Sequence, residues 1–230
     1  MPARPPTGAL TAVVFDLGGV LIDWDPRHLY RQLFADETEM ERFLRDVVSP
    51  AWNLEHDRGR SFDDGVALLT ATHPEHAELI AAFRDRWPEM LGGPIEPAVR
   101  VLDELRGADI RLLALTNWSA ETWPTGVSRF PFLAWFEAVV VSGHEQLVKP
   151  DPAIFRILVD RHGLDPTRTV FIDDLERNVA AAATLGFRAI RFTDGAALRD
   201  ELVRIGLLKR RRPTDRADRA VGAGPKGPVP

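Results

Sequence analysis

Six side chains at four places in the chain are of the types from which a chemical site can be assembled. Asp16 follows the β-branched and aromatic run TAVVF (11–15). Thr116 and Asn117 close the run that begins RLLAL, and Lys149 stands before Pro150 and Asp151. Asp173 ends the run TVFID (169–173), and Asp174 is its immediate neighbour. Strand-end Asp and Asn often do no more than cap the next turn or helix. Jointly, however, these positions offer three carboxylates, one ammonium, one hydroxyl and one amide. Crowded carboxylates repel unless a cation lies among them. With no cysteine in the chain and no histidine in the pattern, every ligand would be oxygen, which favours a hard ion such as Mg²⁺. A lysine and a Thr/Asn pair facing that ion suit a doubly charged oxyanion, and phosphate fits. The chain has neither a Gly-rich loop ending in GK[ST] nor a G-x-S-x-G elbow. A carboxylate is then the natural nucleophile.

Elements must converge to bring these groups together. From residue 97 onward the sequence alternates helix and strand. It predicts helices at 98–107, 152–162, 175–185 and 196–206, and strands at 111–116, 137–141, 169–173 and 188–192. Gly186 stands where the third of these helices should be capped. Such repeated βα units imply a doubly wound parallel sheet of Rossmann-like type, with its active crevice beyond the carboxyl ends of the strands. Between about residues 26 and 90 the apolar spacing is helical, as in Leu29, Leu33 and Phe34, and again in Met40, Phe43, Leu44 and Val47. Ser61 with Asp64 resembles a capping box. His73-Pro74 opens a further helix through Leu79, Ile80 and Phe83. About four helices are expected here, with Gly92-Gly93-Pro94 as a hinge.

FDLGGVL (15–21), LTN (115–117), VKPD (148–151) and FIDDLERN (171–178) together resemble the four motifs of the haloacid dehalogenase-like hydrolases, in order and in spacing. The resemblance spans about residues 10–206. It implies a catalytic core at 10–25 and 94–208, with an inserted all-α cap at 26–93. It also implies a Mg²⁺-dependent phosphatase working through an aspartyl-phosphate. Asp16 would be the nucleophile. The Gly18 carbonyl, Asp16 and Asp174 would hold Mg²⁺. Thr116 and Asn117 would bind phosphate, and Lys149 would neutralise charge. Asp173 and Asn178 would support the site.

One departure from the family pattern is chemical. Gly18 stands where family phosphatases carry a second aspartate as general acid and base. The FDLG start is similar to a branch that includes sugar-phosphate phosphatases, and Asp23 or Asp25 is a candidate for the lost group. Two alternatives remain open. One is a 2-haloacid dehalogenase using the same Asp16, although those enzymes carry an aromatic residue at the Gly18 position. The other is a non-catalytic phosphate-binding regulatory protein. Cap loops select substrate in this family, which singles out Trp24 and the segment Trp52-Asn53-Leu54-Glu55 with Asp57 and Arg58. Trp118 is expected either to pack over the substrate or to shield its loop.

Composition narrows the context. The 230 residues are 45% hydrophobic and 27% charged, enough apolar material for a sizeable core. The absence of cysteine excludes disulfide scaffolds, thiol catalysis and Cys-ligated metal sites. Net charge is −5, but residues 209–230 alone carry +5, leaving an acidic body. That Pro- and Gly-rich tail and residues 1–9 are expected to be disordered. No nucleic-acid partner is implied. No membrane span or leader is expected either, because the runs Leu10–Ile22 and Phe130–Val141 are too short and are interrupted. A cytoplasmic monomer or homodimer acting on a small phosphate ester is the expectation.

Overall fold

The computed structural model describes residues 8–210. Residues 1–7 and 211–230, which make up most of the two segments expected to be disordered, lie outside the described residues. At the inner edges of those segments, Arg168 donates to the Ala9 carbonyl at 2.9 Å and Arg199 to the Lys209 carbonyl at 3.0 Å. Among the described residues no helix is long and apolar enough to cross a membrane.

Seven strands occur in chain order: β1 (Ala12–Phe15), β2 (Ile22–Trp24), β3 (Leu91–Pro94), β4 (Arg111–Thr116), β5 (Ala138–Val141), β6 (Thr169–Asp173) and β7 (Arg188–Arg191). Five of them form a parallel sheet in the order β5-β4-β1-β6-β7. All four residues of β1 are buried, so its alternating side chains supply two cores. Val13 and Phe15 join Leu112, Ala114, Val170 and Ile172 on one face. Ala12 and Val14 join Leu113, Leu115 and Phe171 on the other. The chain runs from central β1 to β4 and β5 on one side, then crosses to β6 and β7 on the other. The reversal opens a crevice beyond the carboxyl ends of β4, β1 and β6.

Eleven α-helices are present among the described residues. Five lie between β2 and β3: α1 (Arg27–Tyr30), α2 (Glu37–Asp46), α3 (Pro50–Asp57), α4 (Phe62–Thr72) and α5 (Ala77–Asp85). The other six are α6 (Glu96–Arg106), α7 (Trp123–Arg129), α8 (Ser142–Glu145), α9 (Pro152–His162), α10 (Glu176–Thr184) and α11 (Gly195–Arg204). Helices α6 and α11 cover the first core, and α9 and α10 the second. Gly186, with φ +94°, takes the left-handed conformation expected of it after α10.

The helical insertion follows its local signals closely. Ser61 Oγ accepts the Asp64 N–H at 3.0 Å and donates to the Asp64 carboxylate at 2.6 Å, so Ser61 caps α4, with the return bond made to its hydroxyl rather than to its backbone N–H. Asp36 and Ser49 cap α2 and α3 in the same manner, each accepting a backbone N–H two or three residues into its helix. The apolar faces meet in an aromatic cluster of Tyr30, Phe34, Phe43, Phe62 and Phe83. Two expectations need correction. There are five helices, because Arg27–Tyr30 forms a single turn that is too short to show a period. Gly92-Gly93-Pro94 belongs to β3, which pairs antiparallel with β2, Ile22 opposite Pro94 and Asp23 opposite Gly93. Two glycines and a proline carry no strand signal of their own, and only the partner strand makes this segment extended.

His56, at the end of α3, is fully buried and stacks on Phe62 with ring centroids 4.3 Å apart. Burial, reinforced by the Arg60 charge, lowers its pKa to about 4. The folded state therefore refuses a proton that the unfolded chain accepts near the ordinary histidine value. This contribution to stability is complete above that value and is lost as pH falls towards 4. It amounts to about 3 kcal/mol over the whole window. Urea titrations of the wild type and His56→Gln should show a stability gap that shrinks by about that amount between neutral pH and pH 4. A gap independent of pH would mean that His56 ionises inside the fold.

Candidate active site

The central sheet positions the acidic groups. Asp16 directly follows β1, and its backbone N–H is held by the Ile172 carbonyl of β6 at 2.8 Å. Asp173 is the last residue of β6, and Asp174 follows it. Because β1 and β6 are parallel neighbours in register, with Phe15 opposite Ile172, their carboxylates emerge side by side. Asp16, Asp173 and Asp174 each offer an oxygen, and these oxygens lie within 4.8 Å of one another.

Lys149 enters from the segment after α8. Its side chain is 1% exposed, and its Nζ lies 2.8 Å from Asp16 Oδ2 and 2.7 Å from Asp173 Oδ2. Burial opposes the ammonium charge, but the two carboxylates outweigh it and hold the Lys149 pKa above the usual lysine value. Burial also drives the Asp16 pKa upward, and the Asp173 charge adds to it, against the pull of Lys149. Asp174 is raised as well, first by burial and then by Asp173. One ammonium cannot neutralise three carboxylates, and the remainder calls for another cation.

The hydrogen bonds separate the roles of these groups. Asp173 receives Lys149 Nζ, the Leu175 N–H at 2.9 Å and the Asn178 amide at 3.0 and 3.1 Å, so its oxygens are occupied. Asn178 lies in the first turn of α10 and is buried, with its Oδ1 lacking a donor among the described residues. Asp16 receives the Leu17 N–H at 2.7 Å on Oδ1. Asp16 and Asp174 are thus the less heavily bonded carboxylates and the better candidates for direct ligation.

Thr116 ends β4, buried at 1% exposure, next to β1. Asn117 directs its carboxamide at the lysine backbone. Its Oδ1 accepts the Lys149 N–H at 2.8 Å and its Nδ2 donates to the Lys149 carbonyl at 3.1 Å, so the carboxamide clamps both sides of the lysine backbone. Gly18 forms a bridge with Ile22 in the turn after β1. The neighbouring Gly19 has φ +73°, and a Cβ there would lie 2.7 Å from Asp174 Oδ2. The Gly18-Gly19 turn and the acidic cluster are therefore in direct contact. An all-oxygen donor set pressed against Gly19, where no side chain fits, suits a small hard cation.

The remaining candidates have other partners. Asp23 pairs with His28 at 3.0 Å. Asp25 pairs with Arg27 at 3.2 Å and accepts its backbone N–H at 2.9 Å. Neither belongs to the acidic cluster. Trp24 is partly buried against the first core, and its indole N–H has no acceptor among the described residues. Trp52 lies within α3, not on a loop, edge-on to His56 and Phe83, and donates to the Gly65 carbonyl. Trp118 is 5% exposed, donates to Thr122 Oγ1 at 3.0 Å and packs on Trp87 and Trp123. It shields the loop that follows β4.

Asp57, the last residue of α3, is the group whose importance the sequence understates. Ser142 Oγ donates to its backbone carbonyl at 2.6 Å and itself accepts the Trp118 N–H at 2.9 Å. The Asp57 carboxylate lies close enough to the Ser119 N–H and to Lys149 for both to pull its pKa down against burial. The insertion is thereby fastened to the loop after β4. In the sequence, Asp57 stands out only as one member of the segment expected to select substrate.

The chain belongs to the haloacid dehalogenase-like hydrolase family, which matches residues 10–186. It is 26% identical over 198 residues to a sesquiterpene phosphatase of Aspergillus oryzae, covering 83% of this chain and 94% of that protein. It is 43% identical over 197 residues to the acyl-CoA dehydrogenase family member 10 of Mus musculus, covering 78% of this chain but 18% of that protein. Among solved structures, a haloacid dehalogenase family enzyme of Bacteroides thetaiotaomicron in complex with magnesium and inorganic phosphate shares the fold. Its TM-score is 0.63 and its identity 24%, covering 81% of this chain and 96% of that one.

The two glycines of the turn should respond differently to a methyl group. Gly19→Ala meets both a left-handed backbone and the Asp174 carboxylate, and should cost about 1–2 kcal/mol or more. Gly18→Ala places its Cβ where nothing lies within 4 Å. It should be close to neutral, or stabilising by up to about 1 kcal/mol. Denaturant unfolding of the two variants checks the contrast, and equal costs would refute it.

Proposed function

We propose that the protein is a Mg²⁺-dependent phosphatase that hydrolyses a small phosphorylated metabolite, a sugar phosphate being favoured, through an aspartyl-phosphate on Asp16. One observation carries this reading: a buried ammonium bridges Asp16 and Asp173 at 2.8 and 2.7 Å, inside a cluster of three carboxylates. This is an arrangement for holding negative charge steady in a place where more negative charge arrives. Family membership and the phosphatase among the relatives support it.

Asp16, Asp174 and the Gly18 carbonyl would hold the ion. When bound, Mg²⁺ supplies charge neutralisation for a phosphate dianion beside three carboxylates. The protein's own groups do the rest. Leu17 N–H and Lys149 fix both oxygens of Asp16, so its attack on phosphorus needs little reorganisation. Lys149 compensates the charge that passes between Asp16 and the phosphoryl oxygens. Thr116 offers a hydroxyl to those oxygens at the end of β4. Asp173 and Asn178 keep Lys149 in place, and Asn117 keeps the lysine's backbone in place. The preference for a sugar phosphate rests on the FDLG start alone, and the helical insertion is assigned the role of substrate-selecting cap.

A panel of sugar, nucleotide and glycolytic phosphates, assayed with Mg²⁺ and with excess chelator, tests the proposal. Hydrolysis should require the ion, and Asp16→Asn should lower kcat/KM by about 10³-fold or more. Chelator-resistant turnover of 2-chloropropionate would instead identify a dehalogenase. A folded wild type inactive on both classes would indicate a non-catalytic binding protein.

A further inference from the structure

With Gly18 in place of an aspartate, the site needs a proton donor for the leaving oxygen, and neither Asp23 nor Asp25 joins the acidic cluster. Given the phosphatase reading on which this rests, we propose that Asp57, delivered by the helical insertion, is the general acid and base of the reaction.

The placement argues for it. Asp57 ends α3 where the insertion meets the core. Its backbone carbonyl is held by Ser142 Oγ at 2.6 Å, and the same hydroxyl accepts the Trp118 N–H. Its carboxylate is close enough to the Ser119 N–H, two residues beyond Asn117, and to Lys149 to feel both. It also accepts from Asn53 Nδ2 at 3.3 Å, one turn earlier in α3. A neighbouring bond from Phe62 N–H to Glu121 Oε1 at 3.1 Å adds a second attachment between insertion and core. Asp57 is thus anchored through its backbone carbonyl beside the loop that begins with Asn117, with its carboxylate in the field of Lys149.

Charges around it leave it poised to transfer a proton. Of the nearby cations, Lys149 is shared between Asp16 and Asp173, Arg60 donates to the Trp52 carbonyl, and Arg58 faces Glu55. Of the nearby anions, Glu121 accepts Phe62 N–H and Glu145 is paired with Arg161. Among the described residues no cation is paired with Asp57 alone. Burial raises its pKa, against the pull of Lys149 and the Ser119 N–H, to about 7. That lies close to the optimum for proton transfer at neutral pH.

The chemistry balances. As Asp16 bonds to phosphorus, the ester O–P bond breaks and the departing oxygen takes the proton of Asp57. Water then attacks the aspartyl-phosphate, the Asp16–phosphorus bond breaks, and one water proton returns to Asp57. The products are the alcohol and hydrogen phosphate.

The test is kcat/KM of the full chain with Mg²⁺ on a series of substituted phenyl phosphates, because this parameter reports the first transfer. The wild type should lose activity above about pH 7 on poor leaving groups and show no such limb on 2,4-dinitrophenyl phosphate. In Asp57→Asn the limb should vanish. The loss should grow from near zero on the best leaving group to about 10²–10⁴-fold on the poorest. A uniform loss across the series, or a limb retained in the variant, overturns the proposal and leaves Asp57 a merely structural anchor. Should the variant misfold, the wild-type limb decides alone, since a limb independent of leaving group also overturns it. Inactivity of the wild type on every ester would sink the phosphatase reading itself, a failure distinct from either.

Discussion

The buried ammonium of Lys149 is the interaction on which the site depends. A charge withdrawn from water is tolerated only when its partners are close and themselves well bonded, and removing one partner of such a pair typically costs about 3–5 kcal/mol. Here the partners are Asp16 and Asp173, the second of which is held by Asn178 and the Leu175 N–H. Each of these residues sits on a different element. The lysine follows α8, Asp16 follows β1, and Asp173 ends β6. The clamp on its backbone, Asn117, follows β4. The strand order β4-β1-β6 is what makes these four segments neighbours. Fold and site are in this sense one constraint, because the parallel register that buries Val14 beside Phe171 also brings the carboxylates together.

The helical insertion shares one buried apolar cluster with a face of the sheet. Its aromatic cluster surrounds a neutral histidine, and its caps are made locally by Asp36, Ser49 and Ser61. Polar contacts at the ends of α3 and α4 add to that shared cluster: Asp57 with Ser142, and Phe62 with Glu121. Polar attachments of this kind are individually worth about 0.5–1.5 kcal/mol.

Much of the core was legible in the chain. Buried parallel strands appear as short, nearly unbroken apolar runs. VVF, LLAL and VFI could be read as such, and each is followed by a polar residue where a crevice would need one. The helix limits at 152–162, and the cap at Ser61, were equally plain. Less legible were elements whose conformation depends on a partner. The glycine-rich β3 is a strand only because β2 lies beside it. The one-turn α1 is too short to show a period. Trp52 and Trp118 carry no mark that distinguishes packing from substrate contact.

The sequence by itself determined the inventory: an all-oxygen set of groups without cysteine, placed at strand ends, with a glycine where a second acid would be expected. Types and spacing suffice for this because strand periodicity is local. The tertiary structure decided how the inventory is used. It gave Asn117 to the lysine backbone, engaged Asp23 with His28 and Asp25 with Arg27, filled the oxygens of Asp173, and brought Asp57 from a distant helix to the loop after β4. These assignments depend on distances between segments far apart in the chain. Only the packed sheet and the docked insertion set those distances.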